Sequence, residues 1–482
     1  MLEEENRGNG SMAKVKMDMT QGKILPLLWR YALPVMATSV IHQLFNTADS
    51  IVVGRWGGET AAAREIALSA VGSSTHLCSL LIAVFTGLAV GAGVSVSHAV
   101  GAKEYGKIKR VVHTAVTTAM LAGILMAVLG FLFARPLLQL MSTPDAVLDQ
   151  AVLYMRAYFC GVPALLIYNY CASILNATGD SARPLVFLSV AGAANVLLNL
   201  LMVVVFQQGA LGVGVATAVS QWISCVMVLI YMARKNELFS FSFKHLGLHM
   251  PTLKKMLAMG IPAGIQASMF EIGNVVMQSA LNSFNNTVYV SGSSIASNAG
   301  TYTQLICAAF VSAAYVFVGQ NTGAKNMERI RRCVRQSALL VTGLAIAMNT
   351  VLNLCSTPIL YLFAPNNTAV VEFARIKLLI NSSFYFLEHL QSLYASSMRG
   401  MGRSTAPMLL SVGGICGVRI LWINTVFVWI RNPLTIFFAY AASWGITFIA
   451  QFILYQITRR KIEKGWQKEE GLKKGEAATV TA

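Results

Sequence analysis

Long apolar runs constrain this chain more than any other feature. A bilayer core of about 30 Å needs roughly 20 consecutive apolar helical residues to cross it. Twelve segments of the 482-residue chain meet that need, at approximately 24–47, 66–96, 111–134, 151–175, 184–206, 210–233, 255–283, 290–320, 336–358, 370–398, 405–430 and 434–458. Several exceed the minimum, which predicts tilt or extension beyond the lipid. Composition excludes a large soluble core as the destination of these runs. Charged residues are 12% and hydrophobic residues 55%, against about 25% charged in ordinary soluble domains. The expected fold class is therefore all-α integral membrane, with twelve transmembrane helices.

The net charge of +17, from 37 Lys and Arg against 20 Asp and Glu, would point to nucleic acid in a soluble protein. Here the bases collect in alternate short loops, as membrane topology requires, and no nucleic-acid partner is expected. Lys103, Lys107, Lys109 and Arg110 follow the second span, Arg234, Lys235, Lys244, Lys254 and Lys255 the sixth, and Arg329, Arg331, Arg332 and Arg335 the eighth. The opposite loops are poor in bases, which predicts cytoplasmic even-numbered loops and cytoplasmic termini. The start, Met1-Leu-Glu-Glu-Glu-Asn-Arg, is polar and acidic. It does not read as a signal peptide, so the first span is expected to direct insertion. The eight cysteines occur singly, almost all in or at the ends of apolar runs; they read as small core hydrophobes.

The chain repeats itself once. Gly101-Ala-Lys-Glu-Tyr-Gly-Lys-Ile-Lys-Arg110 matches Gly323-Ala-Lys-Asn-Met-Glu-Arg-Ile-Arg-Arg332, an offset of 222 (323 − 101). Ala172-Ser-Ile-Leu-Asn-Ala-Thr-Gly179, followed by Pro184, matches Ala395-Ser-Ser-Met-Arg-Gly-Met-Gly402, followed by Pro407, an offset of 223 (407 − 184). Each copy holds six spans, an even number, so the copies share one orientation: a parallel repeat about an axis along the membrane normal. This divides the chain into a tail at 1–23, an N-lobe at 24–233, a basic linker at 234–254, a C-lobe at 255–458 and a basic tail at 459–482. Two similar six-helix lobes facing each other imply a central cavity.

Deep polar residues are the candidate functional groups, because charge inside a bilayer is costly and usually serves a function. Asp49 lies near the end of the first span, with Asn46 and His42 one and two turns back on the same face. Asn195 and Asn199 share a face of the fifth span at i, i+4, and Thr217 and Ser220 lie in the sixth. An acid, two amides and a hydroxyl offer oxygen ligands to a hard cation such as Na⁺; a desolvated acid can equally carry a proton. The plainer alternative is that the amides and hydroxyl join helices by hydrogen bonds. The second half has Glu271 with Asn274 and Gln278 on one face, and Glu388 with Gln391 and Ser392. Arg419 could neutralise one of these acids, so a cation-attracting cavity and a buried Glu–Arg pair both remain open. Pro34, fifteen residues before Asp49, breaks a helical hydrogen bond and is a candidate hinge.

There is no phosphate-binding GxxxxGK[ST] stretch and no room for a cytoplasmic ATPase domain, so ATP is excluded as a partner. No nucleophile or metalloenzyme motif appears, and no enzyme activity or cofactor is expected. The energy source is then an ion gradient or the substrate's own gradient.

Four stretches in order resemble one family. They are Pro34-Val-Met with Phe45-Asn-Thr-Ala-Asp49-Ser-Ile-Val-Val-Gly54, then Leu211-Gly-Val-Gly-Val-Ala-Thr217-Ala-Val-Ser220-Gln, Val318-Gly-Gln-Asn-Thr-Gly-Ala-Lys325, and Met398-Arg-Gly-Met-Gly-Arg403. Over about 24–458 the chain resembles the multidrug and toxic compound extrusion (MATE) transporters, and its look is nearest the bacterial branch that includes the DNA-damage-inducible-type members. The resemblance implies two six-helix lobes in a V and a drug/cation antiporter in which Asp49 binds Na⁺ or H⁺ with Asn195, Asn199 and Thr217. Several members carry a second acid where this chain has Asn199. Glu388 stands near the place of a tenth-span aspartate, and Glu271 is one residue out of register with a seventh-span glutamate.

The expectation is a secondary antiporter in the cytoplasmic membrane of a prokaryote. It would export small-molecule drugs or toxic cations in exchange for H⁺ or Na⁺, with membrane lipid as its surroundings. A substrate cavity would involve Glu271, Asn274, Gln278 and Glu388. The alternative is a flippase for lipid-linked oligosaccharide on a related two-lobe fold, which would line its cavity with many more bases than these spans carry.

Overall fold

The computed structural model describes residues 15–141, 143–234, 239, 241–364 and 367–480. Residues 235–238 and 240 of the expected linker, 1–14 of the expected tail, and 481–482 lie outside the described residues. Helices dominate. In lipid every backbone N–H and C=O must be satisfied within the protein, and an apolar helix does this inside one segment.

The first six long helices are α1 (Ile24–Trp56), α2 (Ala61–Gly101), α3 (Tyr105–Leu140), α4 (Asp145–Ala177), α5 (Ala182–Asn199) and α6 (Gly209–Arg234). The second half comprises α7 (Met250–Asn282), α8 (Thr287–Gly323), α9 (Met327–Leu354), the short α10 (Ser356–Phe363) and α11 (Thr368–Gly400). It ends with the broken helix α12–α13–α14 (Thr405–Ser411, Val418–Asn424, Val426–Trp429) and α15 (Pro433–Val480). Asn286, Asn326 and Asn367 cap α8, α9 and α11, their side-chain oxygens accepting first-turn N–H groups.

Ten of these units are long and apolar enough to cross a membrane. Of the others, α10 has 8 residues, while α7 and α11 are each 33 residues long and pack against α2 and against α8 and α15; with these two the count is consistent with the expected twelve. Three boundaries differ from expectation. The ninth span ends at Leu354, and α10 starts a new direction at Ser356. The eleventh is interrupted by a π-helical turn at Val412–Gly417. The basic tail does not leave the last span but continues α15 to Val480, with Lys325–Glu469 and Arg331–Glu463 ion pairs tying it to the turn after α8 and to α9.

The repeat is written in the backbone. Left-handed conformations occur at Lys103 and Lys325 and again at Gly179 and Gly402, positions matched by the two sequence offsets. These turns, the segment before α1 and the start of α7 lie at one end of the molecule, here called the basic face.

The lobes are joined at that end. Gly87 and Gly91 of α2 meet Gly260 and Gly264 of α7 so closely that a Cβ on Gly91 would lie 2.0 Å from Met256 O, and one on Gly264 2.3 Å from Val84 O. Small residues at four-residue spacing allow this approach of two helix backbones. Two further bonds cross between lobes in symmetric fashion: His98 Nε2 with Gly400 O at 2.7 Å, and Gln320 Nε2 to Ala177 O at 3.0 Å. His98 and Gln320 are equivalents in the repeat, as are Ala177 and Gly400.

Residues 15–23 cross this closed end. Lys16 pairs with Asp180 at 2.8 Å in the N-lobe. Met19 is fully buried; its N–H donates to Gln320 Oε1 at 2.8 Å and its carbonyl accepts from Asn321 at 3.1 Å in the C-lobe. The Arg329 guanidinium donates to the carbonyls of Met19, Gln21 and Gly22 at 2.9, 2.6 and 2.9 Å.

Candidate ion and substrate site

Above the closed end lies a cavity of about 720 Å³, lined by α1, α2, α4, α5 and α6 of the N-lobe with α8 and the end of α11. Asp49, Asn46, His42, Asn195 and Thr217 all line it. Asn199, fully buried, reaches Asp49 from behind: its Nδ2 donates to Asp49 Oδ1 at 2.5 Å and stands 3.2 Å from Asn195 Oδ1. The Asn199 Oδ1 atom is buried with no partner.

Local sequence explains the arrangement. Asn195 and Asn199 are one turn apart on the face of α5 that packs against α1. Directly after Asn199 the helix widens into a π-turn, Leu200–Val205, a distortion frequent at functional sites. Gly192, one turn before Asn195, is needed for the approach of α1: a Cβ there would overlap the Phe45 ring, at 1.7 Å from its nearest atom. The Thr217 hydroxyl donates to Val213 O at 2.9 Å, which leaves its lone pairs available to a donor or cation. Within α1, the Pro34 carbonyl accepts the Thr38 hydroxyl at 2.8 Å, and Pro34 itself has no N–H to continue the helical ladder.

The donor set fits either coupling ion named above. An acid carboxylate, two amides and a hydroxyl are hard oxygen ligands, and the orphaned Asn199 oxygen is an acceptor awaiting a partner. For a proton, the same amide can reverse: it donates to an ionised Asp49 and accepts from a neutral one.

The acids and amides of the second half are arranged differently. Glu271, Asn274, Gln278 and Glu388 do not line the cavity that holds Asp49. Glu271 is exposed. Asn274 Oδ1 accepts from Arg419 Nη1 at 3.0 Å, and Gln278 donates to Asn282 at 2.9 Å. Arg419 forms no ion pair with either glutamate among the described residues; it bonds Asn274 and Ser443 and lies 4.3 Å over the Tyr440 ring. Glu388 Oε2 is buried without a partner.

Sequence reasoning passed over Gln320, Tyr31 and Arg399, which with His98 close or floor the cavity. Arg399 sits inside a stretch already conspicuous for the repeat and Gln320 three residues before the other, and that was the available signal. Lys377 was also missed: it is buried in the C-lobe, donating to Ser293 O, Ser293 Oγ and Ser297 Oγ at 2.9, 2.6 and 2.7 Å.

Two lobes of membrane helices, joined at one end around a largely apolar cavity that carries a few polar groups, define a transporter-like fold. The MatE family model matches residues 34–201 and again 262–423, so each half carries its own copy, and the chain belongs to the MATE family. Among curated proteins it is 25% identical over 455 residues to the probable multidrug resistance protein YoeA of Bacillus subtilis, covering 92% of this chain and 96% of that one. The multidrug export protein MepA of Staphylococcus haemolyticus is 22% identical over 451 residues, covering 91% and 95%. Among solved structures, an outward-facing multidrug resistance MATE family transporter of the MOP superfamily superposes with a TM-score of 0.85 at 17% identity, covering 92% of this chain and 98% of that one.

Proposed function

We propose that this chain is a secondary multidrug antiporter that exports amphipathic, often cationic compounds in exchange for H⁺ or Na⁺ by alternating access. The observation that carries the reading is Asp49, an acid inside the membrane, placed on the wall of a large cavity and held by Asn199. The named relatives, multidrug resistance and export proteins, favour drugs over a lipid-linked oligosaccharide as cargo. In this reading the basic face is cytoplasmic, and the lobes joined there make this the outward-facing state.

Coupling requires that ion and drug have different affinities for the two states. An ionised Asp49 attracts a cationic drug. A proton or Na⁺ at the same carboxylate removes that attraction, so ion entry from outside favours drug release to the outside. Pro34 lies between this site and the lobe contacts, where a bend of α1 would pass the change along. Glu388, buried off the cavity wall, would add only a longer-range attraction for cations from the other lobe.

The test is transport in liposomes under either a Na⁺ or a pH gradient, comparing the unaltered protein with Asp49→Asn. The expected outcome is that the variant still binds a fluorescent cation but no longer moves it against a gradient. Uphill transport by the variant at near the unaltered rate would place coupling elsewhere.

A further inference from the structure

The basic-face end of the cavity holds a cation that ion coupling does not use. Arg399, one residue before the end of α11, lines the cavity with Tyr315, Ser396 and Asn176. Its Nη2 donates to Ser396 Oγ at 2.7 Å, while its Nε is buried with no partner. Among the described residues no carboxylate lies within ion-pair distance of it. The adjacent Tyr315 hydroxyl is committed to Val90 O at 2.8 Å. A guanidinium offers five donors in a rigid fork, and burying its charge with so few acceptors is costly.

This end is remote from Asp49. Tyr31, beside Tyr315 at the cavity floor, precedes Asp49 by eighteen residues (49 − 31) along α1, about 27 Å of helical rise. No ion pair joins the two charges, and the helix between them places them towards opposite ends of the cavity.

We propose that Arg399 is an anion subsite of the cavity, binding the carboxylate of amphipathic ligands whose apolar body lies against the wall formed by Val90, Ala89 and Val316. Planar bidentate pairing suits a guanidinium and a carboxylate. The cavity then takes two kinds of ligand: cations drawn to Asp49, and carboxylate-bearing amphipaths anchored at Arg399. This rests on the reading of the cavity as a drug-binding space, but it needs neither an ion gradient nor Asp49.

The experiment uses one xanthene dye in two forms, the free carboxylate and its ethyl ester, with binding to the purified full-length protein read by fluorescence anisotropy. Arg399→Gln should weaken the free carboxylate at least about tenfold, the loss expected for a hydrogen-bonded charged partner, and change the ester less than about twofold. Arg399→Lys, which keeps the charge and loses the fork, should recover part of the difference. Because Arg399→Gln could unfold the protein, a competition on the unaltered protein is decisive by itself: 2-naphthoate should displace the free-carboxylate dye and leave the ester in place. Equal losses for both dyes, or naphthoate that displaces both or neither, overturns the subsite. If the unaltered protein binds neither dye, the drug-binding reading fails and the subsite fails with it, an outcome separate from a variant that binds the ester normally.

Discussion

The two lobes descend from one repeated pattern and use it for different ends. Their frameworks correspond closely: left-handed turns at Lys103 and Lys325 and at Gly179 and Gly402, and crossing bonds at His98 and Gln320. Their polar interiors do not correspond. The N-lobe points its acid into the cavity and supports it with Asn199, leaving an amide oxygen unsatisfied. The C-lobe satisfies two of its buried cations internally, Lys377 by three serine acceptors and Arg419 by Asn274 and Ser443, and leaves Arg399 with one side-chain bond. Symmetry in the backbone lets the lobes meet through equivalent turns and bonds. Asymmetry in side chains puts an acid on the cavity wall in the N-lobe and none there in the C-lobe, among the described residues.

The sharpest way to break this comparison is to neutralise one acid in each lobe. Coupling between two sites is typically about 1–3 kcal/mol, or 5–150-fold. Asp49→Asn should lower gradient-driven accumulation towards the upper end of that range. Glu388→Gln should instead weaken binding of cationic drugs by a few-fold and leave neutral ones unchanged. Equal losses in accumulation from both substitutions would make the lobes functionally alike.

The shared framework can be attacked at the glycine seam. Gly264→Val places side-chain atoms against the Val84 carbonyl, and overpacking of this kind costs about 1–3 kcal/mol. The expected result is a lower thermal midpoint and greater labelling of cysteines introduced at the basic face. An unchanged labelling pattern would show that the seam is not what keeps this end closed.

A smaller effect is expected from the segment that crosses the closed end. Arg329→Ala removes three bonds to the backbone of residues 19–22, partly exposed and so worth about 1–2 kcal/mol together. Spin-label distances between the lobes at the basic face should shift towards the open population by roughly five- to thirtyfold. No shift would mean that the segment rides on one lobe without joining both.

The smallest effect should come from Arg331→Ala, which removes an exposed pair with Glu463 of α15. Exposed pairs contribute about 0–1 kcal/mol, so the thermal midpoint should move little and less still at high salt. A large loss would show that the tail helix supports the C-lobe.

Much of this protein is legible in the chain itself. Length and apolarity dictate the helices, because lipid permits no other continuous backbone for such runs. The repeat at offsets of 222 and 223 (323 − 101 and 407 − 184) announces two like lobes. The i, i+4 spacing alone puts Asn195 and Asn199 on one face. Other features need three dimensions. That Asn199 rather than Thr217 bonds Asp49 depends on how closely α1 and α5 approach, set by a missing Cβ at Gly192 and a π-turn after residue 199. That Glu271, Asn274 and Gln278 lie away from the Asp49 cavity depends on the packing of α7 along α2. Helical periodicity assigns a residue to a face but is silent on what that face meets, and the burial of Met19 or the isolation of Arg399 is a property of contacts between residues some 300 positions apart. Local sequence thus determined the elements and their polar faces, while only the meeting of the lobes decided which of those faces share a cavity.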